Sequence, residues 1–190
     1  MRASTLGVVL CGGESRRMGT DKGLLPLEES PAYSVWSERG LVVLRELGLD
    51  VILSINAAQE KSYPSVFPGQ AYIVDREPDA GPLRGILSVH ELHPTRNLLV
   101  LACDMIKISS DTLRLLLDAF REAAPGHEAA VFRVGERLEP LCALYTPELL
   151  ARAGSLTAPR KLLSSARVLE LDGEARRGEF AAFNSRDQIP

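Results

Sequence analysis

Apolar residues fall along the chain in short runs parted by polar, glycine-rich or proline-rich stretches, and their spacing switches repeatedly between two periods. Residues 6–10 (Leu-Gly-Val-Val-Leu) make a strand-like run. Residues 33–47 carry a helical pattern stopped by Gly48, and 51–55 return to a strand pattern, which together read as a β-α-β unit. A short polar segment leads to a strand at 72–74. A turn-rich stretch at 75–85 then precedes a short helix ending near Leu92, and 98–102 is the most apolar run, which predicts a central strand. Ser109 or Ser110 can cap a helix through about Ala123, whose leucines at 113, 116 and 117 form a core-facing stripe.

Past Pro125-Gly126, residues 129–134 and 141–145 read as strands joined by the polar link 135–139, a small antiparallel addition. Helices at 147–153 and 159–163 and short strands near 168–171 and 180–183 complete the chain. Alternation of this kind predicts an α/β fold, an open, mostly parallel sheet with helices on both faces. No internal repeat or low-complexity linker interrupts the 190 residues, so one domain spanning 1–190 is expected.

Composition sharpens the class. With 45% hydrophobic and 25% charged residues the chain has ordinary globular make-up, and a net charge of -3 argues against general nucleic-acid or membrane-surface binding. No apolar run has the length to cross a bilayer and the N-terminus lacks a secretory pattern, so a cytoplasmic location is expected. Cys11, Cys103 and Cys142 are far apart in sequence, in apolar surroundings and without a C-x-x-C pair, which reads as buried reduced thiols.

Against this mildly acidic background, one segment concentrates glycine and positive charge. Leu10-Cys11-Gly12-Gly13-Glu14-Ser15-Arg16-Arg17-Met18-Gly19-Thr20-Asp21-Lys22-Gly23 follows directly on the first strand. Glycines let backbone N–H groups approach phosphate oxygens, while Arg16, Arg17 and Lys22 can neutralise charge. The loop reads as a polyphosphate cradle, with a solvated basic turn as the plain alternative. Lys22 lies between Asp21 and Gly23, which excludes a Walker A loop, and glycines at 12, 13 and 19 do not space as a dinucleotide fingerprint.

Two carboxylates share the edge from which that loop leaves. Asp75 ends the 72–74 strand and Asp104 follows the 98–102 strand, so both should project from the carboxyl edge of the sheet, where open α/β folds bind ligands. Mg²⁺ held through one or two carboxylates plus substrate phosphates suits such a place. Taken singly, Asp104 reads equally as a strand-end cap, and Asp75, within a charged turn, as a solvated residue. Ser15 is not in a Gly-x-Ser-x-Gly elbow, and His90, His93 and His127 lack zinc-ligand spacing. Covalent and zinc chemistry therefore have no basis here.

The run Leu-x-Gly-Gly-x-Ser-x-Arg-Met-Gly-x-Asp-Lys at Leu10 to Lys22 resembles the signature loop of the molybdenum cofactor guanylyltransferase family, nucleotidyltransferases of Rossmann-like fold. The resemblance implies transfer of GMP from Mg-GTP to the terminal phosphate of molybdopterin or molybdenum cofactor, releasing pyrophosphate. It implies nucleotide contacts at Leu10, Cys11 (where the family usually has Ala), Gly12, Gly13, Ser15, Arg17, Gly19 and Lys22. Asp104 matches the metal-binding aspartate, with Ile106 in place of a proline, and Asp75 an acidic nucleotide-side residue. Asn56 and the Gly81-Pro82-Leu83-x-Gly85 motif match the nucleotide pocket, though both read otherwise as ordinary turns. Pro140 and Leu141 resemble the strand beside the pterin pocket, and Asn184 one asparagine of a C-terminal acceptor segment.

On this resemblance Arg17, Lys22 and Asp104 are the expected catalytic residues. The nucleotide half lies at about 1–110 and the acceptor half at about 111–190. Transient contacts with cofactor-delivering and cofactor-receiving proteins are possible partners. Cytidylyl or sugar-nucleotide transfer on the same scaffold, or a non-catalytic nucleotide-binding adaptor, are the alternatives.

Overall fold

Among the described residues, seven strands form one sheet in the order β3-β2-β1-β4-β6-β5-β7. The computed structural model describes residues 3–12, 21–27, 33–75, 77 and 81–183. In chain order the strands are β1 (Thr5–Leu10), β2 (Val51–Asn56), β3 (Tyr72–Asp75), β4 (Asn97–Ala102), β5 (Ala129–Val134), β6 (Arg137–Tyr145) and β7 (Val168–Asp172). The helices are α1 (Trp36–Arg45), α2 (Tyr63–Val66), α3 (Pro82–Leu92), α4 (Ser110–Glu122), α5 (Pro147–Ala151) and α6 (Pro159–Leu163), with 3₁₀ turns at Lys22–Leu24, Ala57–Lys61 and Glu174–Phe180.

Strands β1 to β4 are parallel, and β5 and β7 run with them, so β6 alone points the other way. The antiparallel element expected from sequence is thus built into the sheet between β4 and β5. Its turn is tighter than the polar link 135–139 suggested. Gly135 takes φ 57°, the hairpin closes in two residues, and Arg137, Leu138 and Glu139 are strand.

Alternation across the strands divides the core. Val9, Cys11, Leu53, Leu99 and Leu101 meet the apolar faces of α1 and α4, whereas Leu6, Val8, Leu10, Leu98 and Val100 meet α3, α5 and α6. Helix α4 begins where capping predicts, with the Ser109 side chain accepting from the Thr112 N–H. One expected strand is absent: residues 180–183 hold the end of a 3₁₀ turn and irregular backbone. Phe180 and Phe183 are drawn individually into the core rather than paired in a ladder.

Candidate active site

Strand ends place the site. Leu10 lies opposite Ala102 on one side and Ser54 on the other, and Asn56 lies opposite Asp75, so the carboxyl ends of four parallel strands form one rim. Just past β1 the backbone is held close: the N–H groups of Cys11 and Gly12 both donate to the Ser54 carbonyl, at 2.8 and 3.1 Å. A Cβ on Gly12 would stand 3.3 Å from the Asn56 nitrogen, so glycine here lets the departing chain lie against β2.

The chain returns to the rim at Asp21, which anchors the turn carrying Lys22. One Asp21 oxygen accepts from the Gly23 N–H at 3.0 Å and the Tyr63 hydroxyl at 3.3 Å, and the other from the Gln59 side-chain amide at 2.8 Å. That amide also donates to the Cys11 carbonyl at 3.0 Å, tying both stems of the glycine-rich loop together. Burial pushes the Asp21 carboxyl up, and the hydrogen bonds from Gln59, Gly23 and Tyr63 offset this only in part. Gln59 is itself fixed by a capping box: Asn56 Oδ1 accepts from the Gln59 N–H and Gln59 Oε1 from the Asn56 N–H. Gln59 and Tyr63 carry no signal in the sequence, because their function is to hold Asp21, 38 and 42 residues away along the chain.

So held, Lys22 reaches across β1 to β4. Its ammonium lies 3.7 Å from an Asp104 carboxylate oxygen, and each side chain keeps about a fifth of its surface exposed. Burial pushes the Asp104 carboxyl up and Lys22 pulls it back only partly, leaving the carboxylate short of positive charge. An oxygen donor in that condition suits a hard divalent cation. The Asp104 carbonyl accepts from the Phe183 N–H at 3.1 Å, so the C-terminal segment clasps the same loop. Asp75 is buried, and one of its oxygens accepts from the Glu77 N–H at 2.9 Å; it is not the solvated turn residue its neighbours suggested. Three strand spacings, about 14 Å, separate the ends of β3 and β4, so Asp75 and Asp104 share the rim without meeting.

Beside Asp104 opens a cavity of about 340 Å³ whose wall includes Pro82, Asp104, Glu139, Pro140, Leu141 and Pro159. It lies where β6, running against its neighbours, starts at the same rim.

Family models and known relatives bear on this geometry directly. Residues 7–175 match the model of the MobA-like NTP transferase domain. The chain belongs to this family. A probable molybdenum cofactor guanylyltransferase of Natronomonas pharaonis is 30% identical over 95% of this chain and 91% of the relative. The molybdenum cofactor guanylyltransferase of Xanthomonas euvesicatoria is 32% identical over 96% and 90%. Among solved structures, molybdopterin-guanine dinucleotide biosynthesis protein A from Archaeoglobus fulgidus superposes with a TM-score of 0.73 at 21% identity, covering 95% of this chain and 93% of that one. The likeness extends the Rossmann-like fold over nearly the whole chain.

Within this MobA-like frame the expected residues fall into groups. Leu10, Cys11, Gly12, Lys22, Asn56, Asp75, Gly81, Pro82, Gly85 and Asp104 lie at or beside the rim of β1 to β4, and Pro140 and Leu141 on the cavity wall. Leu83 and Gly85 have packing duties: Leu83 is fully buried, and a Cβ on Gly85 would stand 2.9 Å from the Ser54 hydroxyl. Gly81 precedes α3 with φ 80°, and Pro82 opens the helix. Gly13, Ser15, Arg16, Arg17, Gly19 and Asn184 lie outside the described residues. The three cysteines are buried and free, as expected. Cys11 and Cys103 prove to be neighbours, since they follow the paired residues Leu10 and Ala102. The Cys11 thiol beside it, together with burial, pushes the Cys103 thiol well up.

Proposed function

We propose that this chain transfers GMP from GTP to the terminal phosphate of molybdopterin or molybdenum cofactor, with release of pyrophosphate. One observation carries the reading: in a member of a family whose relatives are named guanylyltransferases, the Lys22 ammonium and the Asp104 carboxylate stand 3.7 Å apart between the phosphate-loop stems and an apolar cavity. The donor triphosphate lies along the rim of β1 and β2, and the acceptor enters through the cavity, with Pro140 and Leu141 against its ring system. The nucleotide half is then about 1–110 and the acceptor half about 111–190.

The acceptor phosphate is already an anion, so attack on the α-phosphorus needs alignment and charge neutralisation rather than a general base. Lys22, with Arg17 from the glycine-rich loop, offsets charge gathering on the phosphoryl oxygens. Gln59 and Tyr63 hold Asp21, and so keep Lys22 on the rim. Asp104 is the residue that would hold Mg²⁺; when bound, the ion supplies Lewis-acid charge to phosphate oxygens. GTP as donor places the reaction with the cytoplasmic nucleotide pool.

Calorimetry with GTP, CTP, ATP and UTP, each with and without Mg²⁺, followed by a molybdopterin guanylylation assay, tests the assignment. Selective Mg-GTP binding with pyrophosphate release is expected. Preference for CTP or a sugar-nucleotide donor moves the chain to a sister activity, and GTP binding without transfer makes it an adaptor.

A further inference from the structure

Among the described residues, Glu139 is the one carboxylate besides Asp104 on the cavity wall, and the proposed transfer chemistry does not use it. It sits on β6 three residues past the hairpin turn, half-buried beside apolar surface from Pro140, Leu141 and Met105. Burial pushes its carboxyl up; the guanidinium groups of Arg137 and Arg160, on the same wall, oppose that shift without reversing it. Neither arginine approaches within ion-pair distance, and among the described residues nothing donates a hydrogen bond to Glu139. A half-buried acceptor pair facing an apolar cavity, with its cations held off, is matched by a flat ligand presenting two adjacent N–H donors.

Resting on the guanylyl-transfer reading, we propose that Glu139 recognises the acceptor by accepting hydrogen bonds from the 2-amino and N3–H groups of its pterin ring. The ring then lies on the apolar wall and its phosphate faces Asp104, which lines the same cavity. The carboxylate gives selectivity because a ring with a carbonyl in place of the amino group turns an acceptor towards it and leaves the half-buried charge unmatched.

The experiment uses the full chain and its isosteric variant Glu139→Gln, which keeps volume and packing. Binding of pterin-6-methyl phosphate and of its lumazine analogue, with a carbonyl at position 2, is followed by the ring fluorescence; GTP binding and GMP transfer to molybdopterin are measured alongside. The parent should prefer the pterin. In Glu139→Gln, pterin affinity should fall roughly 10- to 100-fold, the preference over lumazine should collapse, and the KM for molybdopterin should rise while GTP affinity stays within about twofold. A variant that transfers GMP and discriminates as the parent does overturns the role of Glu139 and leaves guanylyl transfer standing. An equal loss of GTP affinity also overturns it, since guanine carries the same pair of donors. A parent protein that binds GTP but neither binds the pterin phosphate nor transfers GMP overturns the transfer reading and, with it, this inference.

Discussion

At the scale of single residues, Asp104 is a carboxylate held at a cost to stability. Burial raises its carboxyl more than Lys22 lowers it, so the folded chain holds this proton more tightly than the unfolded chain does. Stability contributed here is therefore highest in acid. It declines as the pH rises from the ordinary carboxylate range through the raised folded value, and the deficit persists at neutral pH. Asparagine removes the buried charge at nearly the same volume. Asp104→Asn should thus melt no lower than the parent at pH 7 while losing at least about 100-fold in metal-dependent transfer. Scanning fluorimetry beside a pyrophosphate-release assay reads both, and a clear fall in Tm with transfer retained would exchange the two roles. Asp104 was legible in the sequence because an aspartate past an apolar central strand has a predictable address. Gln59 was not, because nothing local distinguishes a glutamine that caps its own turn from one that also holds two loop stems.

Among the elements, the entry to α3 has the firmest backbone requirement. Gly81 takes φ 80° and ψ 178°, a region open in practice to glycine, and a Cβ there would stand 2.9 Å from the Thr157 carbonyl oxygen. Gly81→Ala is expected to cost about 1–3 kcal/mol, read by denaturant melts, and to weaken nucleotide binding because α3 begins at the rim. Local composition put residues 75–85 in a turn, yet the helix already starts at Pro82. The hairpin of β5 and β6 was harder to bound: Arg137 and Glu139 lie in a polar stretch that resembles a loop, yet the strand they open runs on into the fully buried residues 142–145. Strand length there was decided by pairing with β5 and by a two-residue turn at Gly135, both invisible to local hydropathy.

Over the whole molecule, the C-terminal segment joins one flank of the sheet to the site. A single Glu179 oxygen accepts from the Ser109 N–H, the Ser109 hydroxyl and the Thr112 hydroxyl at 2.7–2.9 Å, closing the 3₁₀ turn onto the N-terminus of α4. Four residues on, Phe183 packs with Leu25, Trp36 and Ile106 while its N–H meets the Asp104 carbonyl. Burial raises the Glu179 carboxyl, but the hydrogen bonds from Thr112, Ser109 and Arg176 outweigh it and hold the group below its ordinary value. Its stabilisation is therefore present at neutral pH and lost as the pH falls through that lowered value. Glu179→Ala should cost about 1–3 kcal/mol, a drop of several degrees in Tm, and should lower transfer by loosening the Asp104 loop. An unchanged Tm at pH 7 would reject the clasp. Local pattern by itself determined the alternation of strands and helices, the glycine-rich exit from β1, the carboxylates at strand ends and the burial of the cysteines, because each depends on periodicity, backbone freedom or polarity within a few residues. Tertiary structure alone decided that β6 would reverse between β4 and β5, that residues 180–183 would not be a strand, that Cys11 would lie beside Cys103, and that Gln59 and Tyr63 would hold the turn bearing Lys22. Each of those rests on pairing or packing between segments tens of residues apart, where the energy belongs to the contact and not to either stretch of chain.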